Sequence, residues 1–140
     1  MRCRRSQTGS VTVLGLGFVL LILFVGGMSI DLWRVAGTRR ALAEIADAAA
    51  AAGANGLDRS QFRAEGRLML DPSTAHRLAA VNLARQADLE GLGATADVAA
   101  TQAQVVVVVR SSVELTLLRL FTLGEPIEVT VRAEAAPRGG

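Results

Sequence analysis

The sequence predicts an α+β fold with three parts. These are a long N-terminal transmembrane helix that continues outside the membrane, one or two short helices, and a small antiparallel sheet of three to four strands. The first part follows from an uncharged apolar run and from an alanine-rich continuation without proline. The sheet follows from a change to period-two alternation after residue 94. We divide the chain into a basic tail (1–10), the helix (11–56) and an outer domain (57–140).

The apolar run covers residues 11–30 and contains no charge. A helix of that length is about 30 Å long, which matches the hydrocarbon core of a bilayer. A cleaved signal peptide is the first alternative, but its apolar region is shorter and ends close to a small-x-small site. Here the nearest such site is Ala41-Leu42-Ala43, beyond four charged residues. The run therefore predicts a membrane anchor.

A nucleotide-binding turn is the second alternative, because Gly15 and Gly17 follow a β-branched run. That fingerprint requires a third small residue and then a polar helix. Leu20 occupies the third position, and the chain remains apolar after it. The pattern therefore favours the membrane helix over a dinucleotide site.

The charge is unevenly distributed along the chain. Residues 1–40 contain six arginines and one acid, whereas residues 41–140 contain nine arginines and twelve acids. The pI of 9.9 therefore does not reflect a basic soluble face, and we predict no nucleic-acid partner. Three arginines lie on each side of the anchor, so their count alone does not set its orientation. Because long domains translocate largely regardless of charge, we expect the tail inside and the domain outside the cytoplasm.

Few residues of this chain suit catalysis. Cys3 and His76 are the only cysteine and histidine, which excludes the common dyads and metal clusters. Glu125 and Glu128 form a carboxylate pair, but strand alternation would place them on opposite sides. We therefore predict no catalytic residue, metal, cofactor or small-molecule substrate. The remaining alternative outside the enzymes is a single-pass membrane adaptor or receptor.

Three residues mark the predicted outer membrane boundary. Trp33 suits the interfacial aromatic belt, and Asp31 and Arg34 are spaced to pair in the headgroup region. A functional alternative is that Asp31 contacts a neighbouring helix in an assembly.

Beyond the boundary the helix continues with an apolar packing stripe of small side chains. Its members recur at helical spacing: Leu42, Ile45, Ala49 and Ala52. The small side chains would let a partner approach closely. Arg40 and Glu44 are spaced for an ion pair on the polar side of the helix.

The outer domain begins with two capped helices. Asp58 is the predicted N-cap of a short helix over residues 58–65, and Asp71-Pro72 starts a stronger helix that continues to about Glu90. Residues 96–100 then predict an edge strand, and the five valines at 105–109 predict a strand covered on both faces.

The last strand is predicted over residues 126–135, with its odd-numbered residues facing inward. Residues 112–123 are left open between strand and helix, because periodicity alone does not separate the two.

The chain resembles the TadE/TadG-like pilus assembly proteins of the tight adherence (Flp pilus) system. Residues 8–13 are similar to the family's Gly-Ser-Val-x-Val start, and residues 30–34 are similar to its Asp-Leu-x-Arg exit. The most specific likeness is at residues 40–54, which resemble its Leu-Gln-x-Ala-Ala-Asp-Ala-Ala-Ala-x-Ala-Gly-Ala run. Together these segments cover roughly the first 56 residues.

The resemblance implies a pilin-like fold and a noncatalytic component of a pilus or related secretion apparatus. It places the chain in the bacterial inner membrane, with other pilin-like subunits and the inner-membrane platform as partners. Gly9 and Ser10 match the junction at which prepilin-type peptidases cut a leader. TadE-type pseudopilins carry glutamate five residues after that glycine, whereas this chain has Leu14. We therefore expect most molecules to keep the leader.

Overall fold

The computed structural model describes residues 8–86, 88–116 and 125–137, and it confirms the α+β class with three strands within those ranges. The elements follow the predicted order, helices first and strands last. They are α1 (Thr8–Ala54), α2 (Arg59–Glu65), α3 (Pro72–Ala84), α4 (Asp88–Gly91), β1 (Thr95–Ala100), β2 (Val105–Val113) and β3 (Ile127–Ala135). Residues 117–124, which include most of the segment left open between strand and helix, lie outside the described residues.

Helix α1 is one continuous helix of 47 residues. It contains no proline, and its second half is rich in alanine, the residue with the highest helix propensity. The helix ends at Ala54, and Gly56 lies in the turn that leads the chain away. The predicted continuation of the membrane helix outside the membrane is therefore present as a single rod.

Helices α2 and α3 begin at the predicted caps. The Asp58 carboxylate accepts hydrogen bonds from the backbone N–H groups of Ser60 at 2.9 Å and Gln61 at 3.1 Å. Asp71 accepts one from the Ser73 N–H at 3.1 Å. Each cap satisfies donors that have no partner in the first helical turn.

Helix α3 is shorter than predicted, since it ends at Ala84 rather than near Glu90. The N–H of Arg85 donates to the Asn82 carbonyl and that of Gln86 donates to the Leu83 carbonyl. These tight turns satisfy the last carbonyls of the helix and redirect the chain toward β1. The interruption leaves α4 as a separate single turn.

The sheet is antiparallel with the order β1-β2-β3. In its middle, Val107 lies opposite Val98 of β1 and Ala133 of β3. The prediction that the valine run is covered on both faces is wrong in part. Val105, Val107 and Val109 are fully buried, whereas Val106 and Val108 are only half-buried. Neighbouring strands shield these two side chains from the sides.

One hydrophobic core joins α1, α3 and the sheet. Its α1 members are Leu42, Ile45, Ala46, Ala49 and Ala50, and β2 contributes three fully buried valines. The core therefore extends across residue 56, where we place the boundary between helix and outer domain. That boundary stays a prediction, but the folded unit includes the second half of α1.

Two glycines let α3 approach the end of α1 closely. A Cβ atom at Gly56 would lie 2.7 Å from both the backbone N and the Cα of Ala75. One at Gly53 would lie 3.0 Å from a methyl group of Val105. Any larger residue at position 56 would push against backbone, so this glycine is required by packing.

Candidate functional site

The first half of α1 is apolar and exposed. Side chains over residues 11–26 are all exposed, including Leu14 at 77% and Phe18 at 62%. An apolar stretch of α1 with a mean hydropathy of 2.5 has none of its residues buried inside the protein. Within the described residues α1 is the one helix that is long and apolar enough to cross a membrane. Such an uncovered apolar surface is stable in lipid and not in water.

The predicted membrane boundary lies where one face of α1 begins to be covered by the rest of the protein. Asp31 is fully buried, whereas its neighbours Ile30 and Leu32 are 58% and 60% exposed. Trp33 is 83% exposed, which leaves its ring available to the interfacial region. Farther along the covered face, Val35 and Thr38 are half-buried and Leu42 is fully buried.

Asp31 and Arg34 both form hydrogen bonds with a third residue, Thr116. The backbone N–H of Thr116 donates to Asp31 Oδ1 at 3.0 Å, and Arg34 Nη1 donates to Thr116 Oγ1 at 3.1 Å. Leu115, the residue before it, is buried in the core. The segment that leaves β2 is therefore fixed to α1 at the predicted membrane boundary, and we call these three residues the boundary clamp. Our sequence analysis missed Thr116, because no local pattern distinguishes it from other threonines.

The predicted packing stripe lies against this chain's own domain. Leu42 and Ala49 are fully buried, Ile45 is nearly so, and Ala52 is half-buried. The structure brings them together with α3 and the sheet. The polar side of the helix is exposed there, but no ion pair joins Arg40 to Glu44 in the described part of the chain. The pair expected from their spacing is therefore not formed.

The remaining predicted residues lie far from the clamp in sequence. Gly9 and Ser10 lie near the N-terminus of α1. His76 is exposed in the first turn of α3. Among the residues that the structure covers, no three histidine, cysteine, aspartate or glutamate side chains are grouped to hold a metal ion. What the arrangement offers is an anchor and packing surfaces.

Two carboxylates in the outer domain have pKa values below the ordinary range. The pKa of Asp71 is lowered chiefly by hydrogen bonds from the side chains of Thr74 and Ser73. The pKa of Asp58 is lowered by the Ser60 side chain and the Gln61 backbone. In both, the donors stabilise the charged form of an N-cap. The capping role of the two carboxylates therefore explains both lowered pKa values, and it fixes where α2 and α3 begin.

Comparison with known proteins agrees with the anchor reading. Residues 9–56 match a family model described as putative Flp pilus-assembly TadE/G-like. This match confirms the resemblance to TadE/TadG-like proteins, and it ends two residues after α1, so it leaves α3 and the sheet outside. No curated protein and no solved structure matches the chain.

Proposed function

We propose that the protein is a noncatalytic component of a Flp-type (tight adherence) pilus or a related secretion apparatus. It is anchored in the bacterial inner membrane by α1 and presents its C-terminal domain outside the cytoplasm. Its partners are other pilin-like subunits and the inner-membrane platform, which it meets through α1.

The observation that carries this proposal is the division of α1 into two halves. The first half is exposed and apolar, and the second half forms one wall of the domain core. Because the helix is continuous through Asp31, a force or displacement on the anchor reaches the domain directly. That construction suits an assembly subunit, whose domain position is set by the packing of its membrane helix.

The family match supports the same role, since it covers α1 and not the domain. A shared anchor helix with an unmatched domain is what we expect if the helix makes the contacts common to the assembly.

Deletion of the gene in the native host tests the proposal. We expect loss of surface pili or of the secreted product, with recovery on expression of the wild-type chain. A chain whose residues 11–30 are replaced by an unrelated apolar helix of equal length should reach the membrane and fail to restore assembly. His76→Ala is the matched control and should restore it fully. Normal pili and secretion in the deletion strain would contradict the proposal.

A further inference from the structure

The face of α1 that points away from the domain carries a regular stripe of exposed residues. Their spacings alternate between four and three, and they are Trp33, Gly37, Arg40, Glu44, Asp47 and Ala51. We call this set the outer stripe. The same spacing continues into the anchor through Ile30 and Gly26, which are also exposed. Alternation of four and three is the spacing by which two parallel helices pack along a common seam.

The outer stripe carries three charged side chains, those of Arg40, Glu44 and Asp47. In the described part, none of Arg40, Glu44 and Asp47 takes part in an ion pair. Arg40 lies nearer to the predicted membrane boundary, and Glu44 and Asp47 lie farther from it along the helix. The stripe is therefore electrically complementary to a displaced copy of itself.

We propose that the outer stripe binds the outer stripe of a second copy of this chain, displaced along the helix axis by one heptad, which is seven residues or about 10 Å. The inference rests on the proposed function for the anchoring of α1, and it names the partner and the register. Because both anchors lie in one membrane with the same orientation, the two helices must be parallel.

Three registers of two parallel stripes can be compared. With no displacement, Arg40, Glu44 and Asp47 each face the identical residue of the other copy, which gives three layers of like charge. Displacement by one layer places Arg40 against Glu44 but leaves Glu44 against Asp47. Of these three registers, only displacement by a whole heptad removes every like-charge layer.

The heptad register also creates two favourable layers. Arg40 of one copy faces Asp47 of the next, which forms an ion pair. Trp33 of the first copy faces Arg40 of the next copy in the layer nearer the membrane, where an exposed indole ring can bind a guanidinium. Glu44 faces Gly37 on one side and Ala51 on the other, so it meets no second acid.

The anchor has enough length to allow this displacement. Helix α1 runs uncharged from Thr8 through Ile30, about 35 Å against a hydrocarbon core of about 30 Å. A displacement of about 10 Å shared between two copies moves each by about 5 Å, and the remaining mismatch carries a modest cost per ångström.

Disulfide cross-linking in membranes tests the register. Two differently tagged full-length chains are co-expressed in a Cys3→Ser background, one with Ile30→Cys and the other with Gly37→Cys. Both positions are uncharged and exposed, and a Cβ atom at Gly37 meets nothing within 4 Å. We expect the dimer that joins the two different chains (the mixed product) to exceed either dimer of identical chains (a like product) by about fivefold. Repulsion in a few like-charge layers supplies a ratio of this size. Ala41→Cys with Ala48→Cys, seven residues apart on the flank of α1, is the control and should give little product.

Charge reversal tests the cause. Arg40→Glu should reduce the mixed product to the level of the flank control, and Arg40→Glu combined with Asp47→Arg should restore it. Arg63→Glu, on exposed α2, should change nothing. The inference is overturned if like products dominate, if Arg40→Glu has no effect, or if no product forms along the stripe.

Pilus counts in the native host separate this inference from the proposed function. Normal pili with Arg40→Glu at wild-type membrane levels would overturn the inference and leave the proposed function in place. Normal pili in the complete absence of the chain would overturn the proposed function.

Discussion

The carboxylate of Asp31 accepts a hydrogen bond from the backbone N–H of Thr116 at 3.0 Å, although 85 residues separate the two in sequence. Asp31 is fully buried at the level where α1 leaves its exposed apolar half. The contact joins the anchor to the segment that follows β2. It therefore fixes the position of the domain relative to the apolar half of α1.

Removing this acceptor should loosen the boundary clamp. Asp31→Ala leaves the Thr116 N–H without this acceptor at a partly buried site, at a cost of roughly 1–3 kcal/mol. Thermal unfolding of the full chain in detergent micelles measures this cost. Asp31→Asn keeps an oxygen acceptor and should lose less, while Arg63→Ala, on exposed α2, should stay within about 0.5 kcal/mol of wild type. Equal stability of Asp31→Ala and wild type would show that the hydrogen bond contributes nothing.

The boundary clamp includes a contact that could not be predicted from the sequence. Residues 31–34 could be assigned to the membrane boundary from hydropathy and residue type, because both are local properties. Their partner could not, because a hydrogen bond to Thr116 depends on the path of residues 112–123, which periodicity left undecided. A contact between distant segments has no local signal.

For the packing stripe too, the sequence predicts a local feature, the apolar face of the helix, and not the distant residues that cover it. The spacing of Leu42, Ile45 and Ala49 predicts that they share one apolar face of the helix, and all three are buried in the structure. What covers it could not be read from the spacing, because small apolar side chains suit a neighbouring subunit and the chain's own sheet equally. The half-buried Val106 and Val108 have the same cause: a run of valines does not say how many layers cover it.

Close packing at Gly56 gives a second prediction. A Cβ atom there would lie 2.7 Å from the backbone of Ala75, so Gly56→Ala must move α3 and should destabilise the fold by about 1–3 kcal/mol. Gly37→Ala is the matched control, since it meets nothing within 4 Å and should stabilise α1 by up to about 1 kcal/mol. Unfolding midpoints of the two variants should therefore move in opposite directions. A shift in the same direction would refute the packing argument.

The lowered pKa of Asp71, the N-cap of α3, predicts that the protein loses stability in acid. Because the pKa of Asp71 is lower in the folded state than in the unfolded state, its stabilising effect is complete above the unfolded pKa, near pH 4. The effect is lost as the pH falls through the folded pKa. Unfolding midpoints measured from neutral pH downward should thus be level and then fall below about pH 4. Asp71→Asn should fall less steeply there, whereas an identical slope would exclude Asp71 as a contributor.

The leader junction gives a prediction about processing. A cut after Gly9 would place a new amino terminus at the start of the apolar helix, where an unpaired charge costs several kcal/mol in lipid. The position that carries glutamate in TadE-type pseudopilins is Leu14 here, and it offers no charge partner. Intact mass of protein isolated from the native host should therefore include residues 1–9 in most molecules. Their loss from the majority would mean that processing tolerates leucine.

We propose that α1 crosses the membrane once and holds the domain outside the cytoplasm. Alkaline phosphatase becomes active only outside the cytoplasm, so fusions to this reporter show on which side of the membrane each end of the chain lies. A fusion after Gly140 should be active, and a fusion after Ser6 should be inactive, with both present at equal levels in the membrane. Activity of the Ser6 fusion together with an inactive Gly140 fusion would contradict the account.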